Sequence, residues 1–461
     1  MNKGFIGVDL ATESARALLL NESGEIVGRS NASLASVQRT DDVRLTQDPQ
    51  SWLEAVGKVL SQICAIARDQ SITPVAMTIS ATSGTFVLTD LSGVPIAPAA
   101  MYNDGRAPSP IERALVIARE NNASQSVFMH VPEFVVAWLS QSRDITTDWS
   151  HGMKSGVDLH SKTWSEKSRD VARSGGFSLP EVVAPGVKIA TVSQNRANQL
   201  SIPMLTIYAG MTDGCTGQIS AGGAVMGSAV TTLGTTLVLK VVAEKEITGP
   251  GYYSHLLPTN RWLGGGASNL GGISLSTFLS TARSNFSLQE WDEKAVAHGP
   301  ASFVTYPLVG KGERFPIASK ELISLASNKP LDEIDQFRAI LEGIGFAERY
   351  GYEILSSAGA DTSGELTTVG GGARSAIWCA IRATILNRAV IARSGSGSDL
   401  GAAMIAMASD VGGDLAQALD AMKTSEGKIF SPNETERNIL EEKYQSFVEL
   451  ISAFRGGNLF S

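Results

Sequence analysis

Apolar residues recur every second position from the start of the chain. GFIGVDLATESARALLLNESGEIVGRS reads as two β-strands around the polar loop Asp9 to Arg16, then a turn at Asn21 to Gly24 and a third strand. From Pro49 to Asp69 the period lengthens: Trp52, Val56, Val59, Leu60, Ile63 and Ile66 fall at helical spacing, and Val75 to Ser80 then reads as a buried strand, which implies a crossover. Gly84 to Thr89 is followed by a turn at Asp90 to Gly93 and by the loop MYNDGRAPSP, whose prolines forbid a long helix there. Residues 108 to 200 carry short helical patterns with a weaker signal. Met204 to Ala209 is again strand-like and runs into AGMTDGCTGQISAGGA.

VMGSAVTTLGTTLVLKVV then repeats the opening pattern of strand, glycine- and threonine-bearing turn, strand, an internal echo. A glycine cluster, WLGGGASNLGGIS, precedes a helical run, and an amphipathic helix is predicted from Leu331 to Leu355. The strand Leu366 to Val369 feeds GGGARSAIWCAIRATIL, SGSGSDLGAAMIAMAS again sets glycine before helix, and a helix over Glu434 to Phe454 follows. Small residues concentrate near Gly217 to Gly227, which places the domain boundary at about 220: 1–220 and 221–461, with the last helix free to pack back on the first domain.

With 461 residues there is chain for two or three cores, and 46 glycines with 18% charged residues fit a soluble α/β enzyme. A net charge of −8 and no dense Lys/Arg run argue against nucleic acid and for a small-molecule partner. Cys64, Cys215 and Cys379 lack CxxC spacing, so neither a disulfide framework nor a zinc site is indicated. No apolar stretch is long enough to span a membrane and no leader pattern opens the chain, so a cytoplasmic location is expected. The oligomeric state is left open.

Glycine turns at strand ends let backbone N–H groups approach phosphate oxygens, and four such turns with two embedded aspartates carry more weight than any one. Asp9 ends a buried strand before Ala11-Thr12-Glu13-Ser14, where a carboxylate either holds Mg²⁺ or organises a turn. Asp213 follows a strand and precedes Gly214-Cys215-Thr216-Gly217; it fits a general base for an alcohol, and equally a helix cap. ISATSGTFVLTD and PAAMYNDGRA offer hydroxyls, an amide, a carboxylate and a guanidinium suited to a polyol, though Asp104 and Arg106 also fit a surface salt bridge. Trp378 fits core packing or stacking on an adenine. His130, His151, His160, His255 and His298 lack metal-ligand spacing and read as structural or solvated.

The ordered set VDLATESARALLL, MYNDGRA, AGMTDGCTGQISAGG, TTLGTT, GGGASNLGG, GGGARSAIWCAI and GSDLGAAMIA resembles the FGGY carbohydrate kinase family of the actin, hexokinase and Hsp70 ATPase superfamily, over essentially the full length. The resemblance implies two ribonuclease H-like α/β domains of the actin-like ATPase type with an active-site cleft between them, ATP and Mg²⁺ as cofactors, and a sugar as acceptor. By it Asp9 handles Mg²⁺, Thr12 is a neighbouring hydroxyl, and Asp213 is the catalytic base. Gly234, Thr235 and Thr236 form a second phosphate loop, Gly371, Gly372, Ser375 and Trp378 a nucleoside turn that Gly401 and Ala402 support, and Ser80, Thr82, Ser83, Asn103, Asp104 and Arg106 face the sugar.

Two positions depart from the family's Asp-x-Gly-Thr loop. Ala11 gives up easy access to positive φ. Glu13 would be repelled by a phosphate about 4 Å away by roughly 4 kcal/mol at an effective dielectric of 20, so it is expected to turn away from the nucleotide. Thr82-Ser83 stands where glycerol kinases typically have an Arg-Glu pair, and Ser83-Gly84 is not the Met-His pair of common xylulose kinases. The expected reaction is therefore phosphorylation of a ketopentose primary hydroxyl, D-ribulose ahead of D-xylulose, with a catalytically weak sugar sensor as the alternative.

Overall fold

The computed structural model describes residues 2–412, 414–422 and 426–455, and the chain forms two compact units. One comprises Met1–Ser220, His255–Asn260 and Gly397–Lys423; the other comprises Ala221–Ser254, Arg261–Ser396 and Thr424–Ser461. The segment that returns to the first unit is thus Gly397–Lys423. The last helix, Glu434–Arg455, stays in the second unit, where Leu440, Tyr444, Phe447, Leu450 and Ile451 join its core. Among the described residues no helix is long and apolar enough to cross a membrane.

In the first unit a six-stranded sheet runs Lys188–Thr191, Thr206–Tyr208, Ile72–Ala81, Asn2–Leu10, Ser14–Asn21, Ile26–Ser33. The last three form an antiparallel meander, and Ile72–Ala81 and Thr206–Tyr208 add in parallel. The second unit repeats this: Trp262–Ser268, Leu237–Ala243 and Ala229–Leu233 are antiparallel, and Leu366–Val369 and Val390–Arg393 add in parallel. The sequence echo is therefore a repeat of topology. Between residues 108 and 200, where the pattern is weak, lie Pro110–Glu120, Val131–Ser140, Trp149–Met153, Glu166–Gly175 and Gln194–Leu200, helices too short to show a sustained period.

Asn2–Leu10 is buried on both faces because a helix covers each. Ile6, Val8 and Leu10 share one face with the helix Gln50–Asp69, whose Trp52, Val56, Val59, Leu60 and Ile63 fill the same core. Gly7 lies on the opposite face, where a Cβ would fall 1.9 Å from Asp399 O and 2.3 Å from Ala403 N, so Ser398–Val411 sits directly on the strand backbone. Gly401 does the same for Asp213–Ser220, since its Cβ would meet Thr216 O at 1.9 Å. Gly7→Ala and Gly401→Ala are each expected to destabilise by about 2–3 kcal/mol, read as a lowered urea midpoint, because backbone cannot yield as a side-chain tip can.

In the second unit, Arg382 and Glu348 form a fully buried two-point ion pair, with Nε–Oε2 and Nη2–Oε1 both at 2.6 Å. Thr231 donates to Glu348 at 2.5 Å and Arg382 donates to Thr368 at 2.9 Å. The pair thereby joins two adjacent parallel strands. Their C-terminal ends carry the turns at Gly234 and Gly370.

Candidate active site

Strand alternation places Asp9 on the Gly7 face, in register with Arg16 on one side and Ser80 on the other. Asp9 is 3% exposed, its Oδ1 has no hydrogen-bond partner, and its Oδ2 is 3.8 Å from Arg16 Nη1. Loss of water pushes its carboxyl up to about 7; Arg16 opposes this, and the negative charges of Asp213 and Asp399 add to it. Asp399 is itself buried and held by Arg29 at 3.1 Å. Ala11 N–H donates to Ser14 O at 3.0 Å and closes the loop, and Ala11 is not among the positive-φ residues. Alanine in place of glycine therefore brings no left-handed strain. Glu13 is exposed, and Thr12 is half-buried with its carbonyl accepting from Gln47 at 2.9 Å.

Asp213 begins the helix Asp213–Ser220. The cap belongs to Thr212, whose carbonyl accepts from Cys215 at 2.9 Å and Thr216 at 3.0 Å. The half-buried Asp213 carboxylate accepts from its neighbour Gly214 N–H, a first-turn donor, at 2.7 Å, and the Thr82 side chain lies close to it. Burial holds its carboxyl above the ordinary range, while Gly214 N–H, His151, Lys154 and Thr82 pull it back down. His151 is fully buried, although its sequence spacing reads only as structural or solvated. Without metal-ligand spacing, only its position near Asp213 in the fold reveals it.

The sugar-side residues divide. Thr82 lies close to Asp213, and Ser83 Oγ next to it is buried without a partner. A Cβ on Gly84 would lie 3.7 Å from Tyr102 Cβ and 3.8 Å from Lys154 Cδ, so exposed Asn103 and Lys154 belong to the same locality. Ser80 faces inward, fully buried, and bonds Thr216 Oγ1 at 2.8 Å. Asp104 and Arg106 form a buried two-point pair, with the Arg106 side chain 8% exposed, and not a surface salt bridge. Asp104 also accepts from Leu45 N–H at 2.9 Å, so its oxygens pin the loop.

The second unit holds a cavity of about 970 Å³ lined by Gly234, Thr235, Gly371, Gly372, Ser375 and Trp378, together with Gly272, Ile273, Gln289 and Asp292, which are not among the site residues expected from sequence. A Cβ on Gly370 would fall 2.6 Å from Leu233 O, and its φ of 94° needs glycine. Ser375 caps Ala376–Leu386, accepting from Trp378 N–H at 3.1 Å, and donates to Asp292 at 2.8 Å. Trp378 is 2% exposed with its indole N–H on Leu341 O at 3.2 Å, which makes it core at the cavity edge and leaves no open face for stacking on a base. Thr236 lies outside the lining and closes the turn, its carbonyl accepting from Gly234 N–H at 3.1 Å. Gly401 does not line this cavity: it belongs to the first unit, where packing requires it.

Residues 5–126 match the N-terminal domain, and residues 229–409 the C-terminal domain, of the FGGY family of carbohydrate kinases. The molecule is accordingly an enzyme of the phosphotransferase class whose acceptor is a sugar. The chain belongs to the FGGY family of carbohydrate kinases. A xylulose kinase of Escherichia coli K12 is 26% identical over 447 residues, covering 87% of this chain and 89% of that protein. Among solved structures, a xylulose kinase from Rhodospirillum rubrum superposes with a TM-score of 0.86 at 20% identity, covering 99% of this chain and 100% of the other. A gluconate kinase from Lactobacillus acidophilus reaches 0.84 at 18% identity with 98% of each chain covered, so the shared fold does not choose the sugar.

Proposed function

We propose that the protein transfers the terminal phosphate of ATP to the primary hydroxyl of a ketopentose, with Asp213 as general base. The observation that carries this reading is Asp213 itself: a half-buried carboxylate at a strand-to-helix junction, anchored by Gly214 N–H and close to Thr82 in the polyol-suited segment. Its raised proton affinity suits it to take a hydroxyl proton as the phosphate transfers. Asp9 fits a Mg²⁺ ligand, since it is buried with one oxygen unpartnered and the ion needs only one or two carboxylates besides phosphate and water. Among the described residues there is no preformed cluster of three or more His, Cys, Asp or Glu, which fits an ion that comes with the nucleotide. When bound, Mg²⁺ supplies neutralisation of phosphate charge. Gly234 and Thr235 would meet phosphates, and Gly371, Gly372 and Ser375 the nucleoside, in the cavity of the second unit.

Of the two ketopentoses, the names of relatives at 23–26% identity favour D-xylulose over D-ribulose, against the order that the sequence segments suggested. The sensor alternative loses one of its grounds, since Ala11 is unstrained. The test is ADP release from Mg·ATP with D-xylulose, D-ribulose, D-gluconate and no sugar. Release is expected with a ketopentose, D-xylulose first. Equal release without sugar would mean a bare ATPase, and binding without release a sensor.

A further inference from the structure

His151 lies on the short helix Trp149–Met153, wholly inside the first unit. Its Nδ1 is 2.5 Å from Asp148 Oδ2 and its Nε2 is 3.3 Å from Ala81 O. A carboxylate and a carbonyl can only accept, so both ring nitrogens donate, which a neutral imidazole cannot do. The hydrogen bonding therefore favours the imidazolium form of the ring. Its neighbour His130 differs, because Nε2 meets the Ser155 hydroxyl at 2.9 Å, a partner able to donate or accept.

The two acceptors of His151 belong to the two backbone segments that present Asp213. Asp148 Oδ1 accepts from Ser150 N–H at 2.9 Å and from the Ser150 hydroxyl at 2.6 Å, and Ser150 Oγ accepts from Thr212 N–H at 3.0 Å, one residue before Asp213. Ala81 forms a parallel bridge with Thr212 and precedes Thr82, whose side chain lies close to Asp213. We propose that His151, held charged by Asp148, is a positioning residue for Asp213: it braces both segments and supplies the buried positive charge that the Asp213 carboxylate needs where water is scarce. This rests on the reading of Asp213 as the base.

The other titratable groups nearby are Asp148 and Glu133, the latter 3.2 Å from His130; His130, whose ring centroid is 6.1 Å from that of His151; and, around Asp213, Lys154 with Cys215 beside it. Burial opposes charge on His151, but Asp148, Glu133 and Asp213 outweigh it and bring the ring up to about 8.

Two measurements on the full chain test this. With ¹⁵N-labelled histidine, His151, assigned by its loss in His151→Gln, is expected to show both ring nitrogens protonated at pH 6.5 and to lose a proton near pH 8; a neutral single tautomer at pH 6.5 overturns the proposal. At saturating Mg·ATP, His151→Gln is expected to move the acid limb of the kcat profile up by about one pH unit, so that kcat on that limb falls about tenfold, with the sugar KM within threefold. Asp148→Asn, which can still cap the helix, is expected to shift the limb the same way. An unmoved limb in His151→Gln, beside an inactive Asp213→Asn, sinks this inference alone; an active Asp213→Asn sinks the base reading instead, whatever the state of the ring.

Discussion

Asp213→Asn is expected to lose about a thousandfold in kcat while the folded protein becomes no less stable. A positioned general base contributes roughly 10²–10⁴ to a proton-transfer step, and asparagine has no basic oxygen with which to replace it. The amide keeps the shape of the carboxylate and an acceptor for Gly214 N–H, now 2.7 Å away, so the helix start survives. The sign for stability follows from the direction of the carboxyl's shift. Burial holds it above its unfolded value, so ionisation in the native state is penalised at neutral pH, and a neutral amide escapes that penalty. The urea midpoint should therefore hold or rise, and the sugar KM should stay within a few-fold because ground-state contacts are kept. A variant with low kcat but also a collapsed midpoint would instead make Asp213 structural.

Both aspartates were legible because a carboxylate at the end of an apolar strand stands out against the period-two pattern. The repeat was legible as well, since the strand, turn and strand around Gly234 repeat those around Asp9. What the pattern could not give is which sheet a helix chooses. Ser398–Val411 and Glu434–Arg455 are both ordinary helices by their spacing, yet the first packs on Gly7 and the second in the other core. That choice is made by small residues meeting backbone, so Gly401 looked like a ligand contact and is a packing contact. Burial of charge was also hidden: Asp104 and Arg106, two residues apart in a proline-bearing loop, look like a solvent pair until the fold closes over them. His151 needed its acceptors Asp148 and Ala81 in place, and Ala81 is 70 residues away.

Asp9→Asn should uncouple stability from function most clearly, because burial raises the proton affinity of its carboxyl well above the ordinary range. In the native state it titrates at about 7, against 3.8 for the unfolded chain. Below 3.8 both states hold the proton and Asp9 contributes no pH dependence. As pH rises from there through 7, the unfolded state has released its proton and the native state has not, so native stability falls. The shift corresponds to a loss on the order of 4 kcal/mol above pH 7, and an unpartnered buried amide in the variant offsets about half of the gain. Metal-free Asp9→Asn is thus expected to match the wild type by urea unfolding near pH 4 and to exceed it by about 2 kcal/mol at pH 8. Mg·ATP should then stabilise the wild type far more than the variant, since a cation at Asp9 relieves the same penalty that asparagine removes permanently, while turnover in the variant falls at least a hundredfold. A stability difference that does not grow between pH 4 and pH 8 would mean that Arg16, 3.8 Å away, already neutralises Asp9 without any metal.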